Sequence, residues 1–341
     1  MLSKIRQVLS VFPTRSLRFI GQYNINLREY KVQEFSAVAT HFVEKRKVLF
    51  TEKYIKSAII RRVPPFPDMV SNLSLKELAT LMGDEKINNL RKEVAKAIGE
   101  NSIIIFEGGE SLLPGNIEVP DFIDRDNLLP TLPFQLYMLS FFKIAGLPLW
   151  SGDVSKEEVV THIRASNNRP ADNLVEKYHT DYGEAECPPK LTALCVINND
   201  SKIGTQFISK AALLEKFTDK EIEYLSRKDC FYYTNRDGFT YRPAILTRQD
   251  NGDVAIQYNS LFRAFYKEGD GLLLKMQNVL TELRNNSDMI KTITLPAGSS
   301  FIASNTNLLH CRQQRTDPSP QPSRWLMRVS FDKFNEEQRV C

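Results

Sequence analysis

A chain of 341 residues with 42% apolar and 25% charged side chains has ordinary globular composition, long enough for one large domain with additions or two modest ones. Its 45 basic and 41 acidic side chains leave a formal charge of only +4, with no long basic run and no aromatic-plus-basic stripe, which argues against a nucleic-acid partner. No apolar run approaches the length that spans a bilayer, and five scattered cysteines without a CxxC pair read as reduced thiols in a cytosol-like compartment.

The chain opens with Lys4, Arg6, Arg15, Arg18 and Arg28 and no acid among them, and Leu2, Ile5, Val8, Leu9 and Phe12 share one helical face. A basic amphipathic helix docked on the domain is the preferred reading and implies a cytoplasmic protein; a mitochondrial presequence is the other. Residues 1 to about 60 read as mixed helix and short strand. The prolines of Arg61-Arg62-Val63-Pro64-Pro65-Phe66-Pro67-Asp68 forbid regular pairing and mark a connector. We therefore divide the chain into an N-terminal extension, 1–72, and a main domain, 73–341.

A capping box from Ser74 to Glu77 predicts a helix, and helical periodicity resumes from Ile87 through Leu90, Val94 and Ile98 to stop at Gly99. The apolar run Ser102–Phe106 predicts a buried strand. Another helix is expected from Pro133 to Gly146. Beyond it the pattern changes to strands at Leu191–Ile197, Ile290–Leu295, Ser300–Ala303 and Arg324–Phe331, with a turn at Pro296-Ala297-Gly298. Two helices interrupt them, one capped by the box Thr218–Glu221 and one over Leu272–Leu283. The expected fold class is α+β: a double-stranded β-helix, or jelly-roll, core of cupin-like type with flanking helices and helical insertions.

Of the four histidines, His41, His162, His179 and His310, two stand in suggestive settings. In Tyr178-His179-Thr180-Asp181-Tyr182 a strand would send His179 and Asp181 to one face. His310 ends the run Asn305-Thr306-Asn307-Leu308-Leu309. Two imidazoles and a carboxylate on one side of a metal leave its other positions open, the ligand set of non-haem iron(II) oxygenases. Each residue taken singly reads better as an ordinary hydrogen-bonded side chain. Arg324 and Arg328, 14 and 18 residues beyond His310, change that weighting. They share a strand face with Leu326, between Trp325 and Met327, and a buried guanidinium needs an anionic partner.

The pattern His179-x-Asp181, Thr205 within Ile203-Gly204-Thr205, His310-x-Arg312 and Arg324-Trp325-Leu326-x-Arg328 resembles the clavaminate synthase-like branch of the taurine dioxygenase superfamily. The likeness extends over roughly residues 73–335. It departs where several amino-acid hydroxylases of that branch carry glutamate instead of Asp181, and where Cys311 replaces a usual glycine. The resemblance implies iron(II) held by His179, Asp181 and His310, and 2-oxoglutarate gripped at its far carboxylate by Arg324 with Thr205 assisting. It also implies Arg328 on a substrate carboxylate, dioxygen as oxidant, and hydroxylation of a free amino acid or amino-acid-like metabolite. Desaturation or cyclisation on the same scaffold, and a catalytically silent jelly roll that binds a ligand, are the alternatives. Asn167, Asn168, Arg169, Arg236, Asp237 and Tyr258 are polar candidates for loop contacts, with solvated loop as their plainer reading.

Overall fold

Alternation along a few strands decides how the layers stack. The computed structural model describes residues 27–31, 84–100, 103–107, 109–121, 125–150, 160–165, 177–200, 202–234, 238, 240–249, 253–314 and 323–332. The expected first helix at Ser74, the connector at 61–68, His41, Asn167 to Arg169 and Arg236 to Asp237 lie outside these residues.

In chain order the main elements are β1 (Leu27–Lys31), α1 (Asp84–Glu100), β2 (Ile103–Glu107), α2 (Leu132–Ile144), β3 (Val160–Ala165), β4 (Leu191–Asn198) and β5 (Thr205–Ser209). The insertion follows with α3 (Asp219–Leu225), β6 (Phe231–Thr234), β7 (Thr240–Tyr241), β8 (Leu246–Arg248), β9 (Val254–Ile256), β10 (Arg263–Ala264) and α4 (Lys267–Arg284). The chain then returns through β11 (Lys291–Ile293), β12 (Ser300–Ser304), β13 (Leu308–Arg312) and β14 (Arg324–Phe331).

Six strands form the main sheet in the order β1-β2-β12-β4-β14-β3, antiparallel except for the parallel β1–β2 pair at its edge. Residues 27–31 of the N-terminal segment thus belong to this sheet. A second, antiparallel sheet has the order β11-β5-β13. β4 is buried over its whole length and β14 at every residue but Arg328, as largely apolar runs demand when both faces are covered. One face of the main sheet presents Ile104, Phe106, Cys195, Trp325, Met327 and Phe331 to α1 and α2. Phe106 meets Phe141 edge-on at 4.9 Å and Phe142 meets Phe331 at 5.0 Å. The opposite face, with Ile105, Leu194, Val196 and Leu326, packs against Phe207, Ile293 and Leu308 of the smaller sheet. The far side of that sheet, Ile208 and Leu309, is covered by Leu273, Met276 and Leu280 of α4. Each fully buried Phe or Leu in these layers contributes about 2 kcal/mol of transfer free energy.

The sequence expectations for β2, β4, β12 and β14 match these elements within a residue. The box at Thr218 forms in full, its hydroxyl accepting from the Glu221 N–H while the Glu221 carboxylate accepts from the Thr218 N–H. Three expectations need adjustment. The first of them concerns α1, which carries one residue past Gly99 to Glu100. The strand expected over Ile290–Leu295 is paired only at Lys291–Ile293. α4 begins five residues before Leu272, through Gly269 and Gly271, which weaken the helical signal. Gly269 is required there: a Cβ would lie 2.6 Å from that of Ala264.

Candidate metal centre

His179, Asp181 and His310 come together, their ligand atoms all within 4.8 Å of one another. Two chain segments make this cluster. His310 sits mid-strand in β13, and His179 pairs with it across an isolated antiparallel bridge, each N–H donating to the other's carbonyl at 3.0 and 2.9 Å. The imidazole ring centres stand 4.6 Å apart. His179 Nδ1 lies 2.7 Å from the Lys177 carbonyl oxygen; with Nδ1 protonated and donating, Nε2 keeps its lone pair for a metal.

The expectation of a strand through His179-x-Asp181 is corrected at this point. The ladder lasts one bridge, and residues 181–184 form a turn. Tyr182 has φ +51°, and Gly183 has no room for a side chain: a Cβ would lie 2.8 Å from Thr180 Oγ1 and 2.9 Å from the Tyr258 carbonyl. Asn305, only 2% exposed, fixes the turn. Its Oδ1 accepts from the Asp181 N–H at 2.8 Å, and its Nδ2 donates to the Asp181 and Pro189 carbonyls at 2.9 Å each. Asp181 thereby reaches the two imidazoles from a turn.

Asp181 is 1% exposed and both its carboxylate oxygens are engaged. Thr192 Oγ1 donates to Oδ2 at 2.6 Å, and Arg328 donates to Oδ1. Burial alone would raise its pKa, but the charge of Arg328, then His310, His179 and the Thr192 hydroxyl, hold it well below the usual carboxylate range. Burial lowers His310 to about 4, with Asp181 pulling the other way. The cluster therefore offers an anionic carboxylate and, at His310, a neutral imidazole at pH 7, the protonation states a divalent cation takes.

Arg324 lies at the other end of the space between the sheets. It is 8% exposed and its guanidinium donates to Thr205 Oγ1 at 2.9 Å, while Nε has no hydrogen-bond partner among the described residues. Burial and the nearby charge of Arg312 lower it to about 10. Arg312 stands opposite Thr205 in the β13–β5 pairing, two residues from His310 on the same strand face. Two strand residues span about 6.7 Å, so an anion held by Arg324 and Thr205 would sit one such step from the His-Asp-His cluster.

The remaining sequence candidates resolve simply. His162 faces the helical layer and accepts a hydrogen bond from Trp325 Nε1 at 3.0 Å. Tyr258 is a core residue at 1% exposure. Sequence reading missed Asn305, Thr192 and Tyr182. The first two have no local signal, since their partners are 124 and 11 residues away.

No family model and no curated protein matches the chain. Solved structures do. The non-heme iron oxygenase OrfP in complex with iron and alpha-ketoglutaric acid superposes with a TM-score of 0.58 at 15% identity, over 93% of this chain and 99% of that one. OrfP in complex with iron gives 0.56 at 16% identity, over 90% and 93%. Asparagine oxygenase in complex with Fe(II), 2S,3S-3-hydroxyasparagine and succinate gives 0.53 at 13% identity, over 89% and 93%. Across nearly its whole length, the chain has the fold of these non-heme iron oxygenases.

Proposed function

We propose that this chain is an iron(II)- and 2-oxoglutarate-dependent oxygenase on a jelly-roll core, acting on a free amino acid or amino-acid-like metabolite. One observation carries the reading: a His-Asp-His cluster and a buried arginine–threonine pair face the same inter-sheet space, one strand step apart. A zinc hydrolase would use the cluster and leave Arg324 buried without an anion. A five-carbon diacid that chelates a metal at one end and meets Arg324 at the other uses both.

In this reading His179, Asp181 and His310 hold the iron, and Arg324 with Thr205 holds the far carboxylate of 2-oxoglutarate. When bound, iron, 2-oxoglutarate and dioxygen supply a C–H hydroxylation, with succinate and carbon dioxide as the other products. The chain's own contributions are orientation and dryness. His179 is aimed by the Lys177 carbonyl, Asp181 by Thr192 and Asn305, and the buried side chains of Leu326 and Phe207 keep the space beside the two anchors apolar. Arg328 is the cation beside the metal ligands, and we assign it to the substrate carboxylate.

The substrate class is supported by the neighbours alone: OrfP is known in complexes with L-arginine and L-canavanine, and asparagine oxygenase with hydroxyasparagine. The test is succinate formation from 2-oxoglutarate with Fe(II), followed by a screen of free amino acids for a gain of one oxygen by mass spectrometry. Iron-dependent succinate with no oxidised amino acid would retire the substrate proposal and keep the cofactor proposal. No metal-dependent succinate under any condition would retire both.

A further inference from the structure

Tyr182 directly follows Asp181, and neither the metal nor the cosubstrate reading gives it work. Its left-handed backbone, φ +51°, costs about 1 kcal/mol for a residue with a Cβ. That conformation lays its ring against Trp150, centroid to centroid 4.5 Å. Trp150 is itself fixed, 4% exposed, with Nε1 donating to the Cys187 carbonyl at 2.9 Å and its N–H to the Ser330 carbonyl at 3.0 Å. On the tyrosine's other contact, Arg328 Cζ stands 4.8 Å from the ring centre. The phenol oxygen is 3.4 Å from Thr161 Oγ1, which also accepts from Arg328 Nη2 at 3.5 Å.

Arg328 is therefore enclosed: Asp181 takes one nitrogen, Thr161 another, and an aromatic wall backed by Trp150 closes a face. We propose that Tyr182 is a positioning residue whose ring, supported by Trp150, confines the Arg328 guanidinium beside the Asp181 carboxylate. The inference rests on the metal-centre reading. Two consequences follow from Coulomb's law and from preorganisation. A fixed cation in contact with a ligand carboxylate repels a divalent metal, so confinement weakens metal binding. The same confinement holds the remaining N–H groups ready for an incoming carboxylate at little entropic cost. Remove the wall, and a bound metal pushes the guanidinium out toward water.

The metal term can be read without substrate or turnover. The probe is Mn(II), its free concentration followed by electron paramagnetic resonance, with the full chain. Arg328→Met is expected to bind Mn(II) more tightly than wild type, and Tyr182→Leu to follow it by at least about threefold. Tyr182→Phe keeps the ring and should stay within about twofold of wild type. The double variant Tyr182→Leu/Arg328→Met should bind as Arg328→Met alone does, because the wall has nothing left to confine. Trp150→Leu, which removes the backing, should move in the same direction as Tyr182→Leu and serves if that variant does not fold. A purely structural role predicts the opposite sign, since a loosened site binds metal more weakly. Weaker or unchanged binding in folded Tyr182→Leu or Trp150→Leu, or additivity in the double variant, overturns the inference. Failure of wild type to bind Mn(II) overturns the metal-centre reading itself.

Discussion

Asp181 and Arg328, 147 residues apart in the chain, form a buried ion pair in which the carboxylate also belongs to the His-Asp-His cluster. The carboxylate side chain is 1% exposed and the guanidinium 18%. A buried pair of this kind is a weak source of net stability, yet breaking it from one side is costly, because an uncompensated charge stays behind. Asp181→Asn should therefore destabilise the metal-free protein by about 3 kcal/mol or more. Asp181→Leu combined with Arg328→Met should recover much of that loss. Urea unfolding of the single and double variants measures it, and equal losses in both would show that the pair is not what holds the turn.

Asn305 supports the same carboxylate through the backbone. Its side chain satisfies one N–H and two carbonyls, those of Asp181 and Pro189, in a site closed to water. Asn305→Ala leaves all three buried groups unpaired, at roughly 1–3 kcal/mol each where no water enters. Asn305→Asp keeps the acceptor and loses both donors. We expect Asn305→Ala to lower the melting temperature by many degrees and to weaken metal binding more than tenfold, since a ligand displaced with its turn loses its aim. A melting change with unaltered metal affinity would separate the clamp from the metal site.

Much of this centre can be read from residue order, and the reason is physical. His310, Arg312, Arg324 and Arg328 lie on strands, where a period of two fixes which residues share a face without knowledge of the partner strand. Thr205 could be placed by its spacing in the family pattern, and it does meet Arg324. The Asp181 turn could not be foreseen in this way. His179 and Asp181 satisfy strand spacing, and only the positive φ of Tyr182 and the crowding at Gly183 reveal that the chain bends there. The pairing of Arg328 with Asp181 was equally hidden, because a strand face gives direction and not the identity of what stands opposite.

Burial of two imidazoles sets the acid limb of stability. His310 is lowered to about 4 and His162 to about 3, in both cases chiefly by burial, so the folded metal-free protein keeps them neutral while the unfolded chain protonates them below about 6.5. The unfolded state then binds more protons, so stability falls as the pH drops from 6.5 toward 4, at about 1.4 kcal/mol per pH unit for each histidine. The Asp181 pair does not contribute in this window, because its folded pKa is depressed and its share is lost only below the ordinary carboxylate range. Urea unfolding of metal-free protein at several pH values between 7 and 4.5 gives the slope. His162→Gln should reduce it by the share of one histidine, and an unchanged slope would mean that His162 is protonated when folded.

The two arginines of β14 are predicted to separate by ligand. Among the described residues Arg324 donates to Thr205 and pairs with no acid, at 8% exposure, and it sits one strand step from the His-Asp-His cluster. Arg324→Met should raise the 2-oxoglutarate concentration needed for half-maximal succinate formation by 30-fold or more, the roughly 2–5 kcal/mol of a lost buried charge pair, while leaving Mn(II) affinity near wild type. Thr205→Ala removes one neutral hydrogen bond and should cost about fivefold in the same measurement. Arg328→Met should leave the 2-oxoglutarate requirement within about threefold and act on the carboxylate of the oxidised substrate instead. If Arg328→Met raises the 2-oxoglutarate requirement and Arg324→Met does not, the two assignments are exchanged, and the anion nearest Asp181 is the cosubstrate.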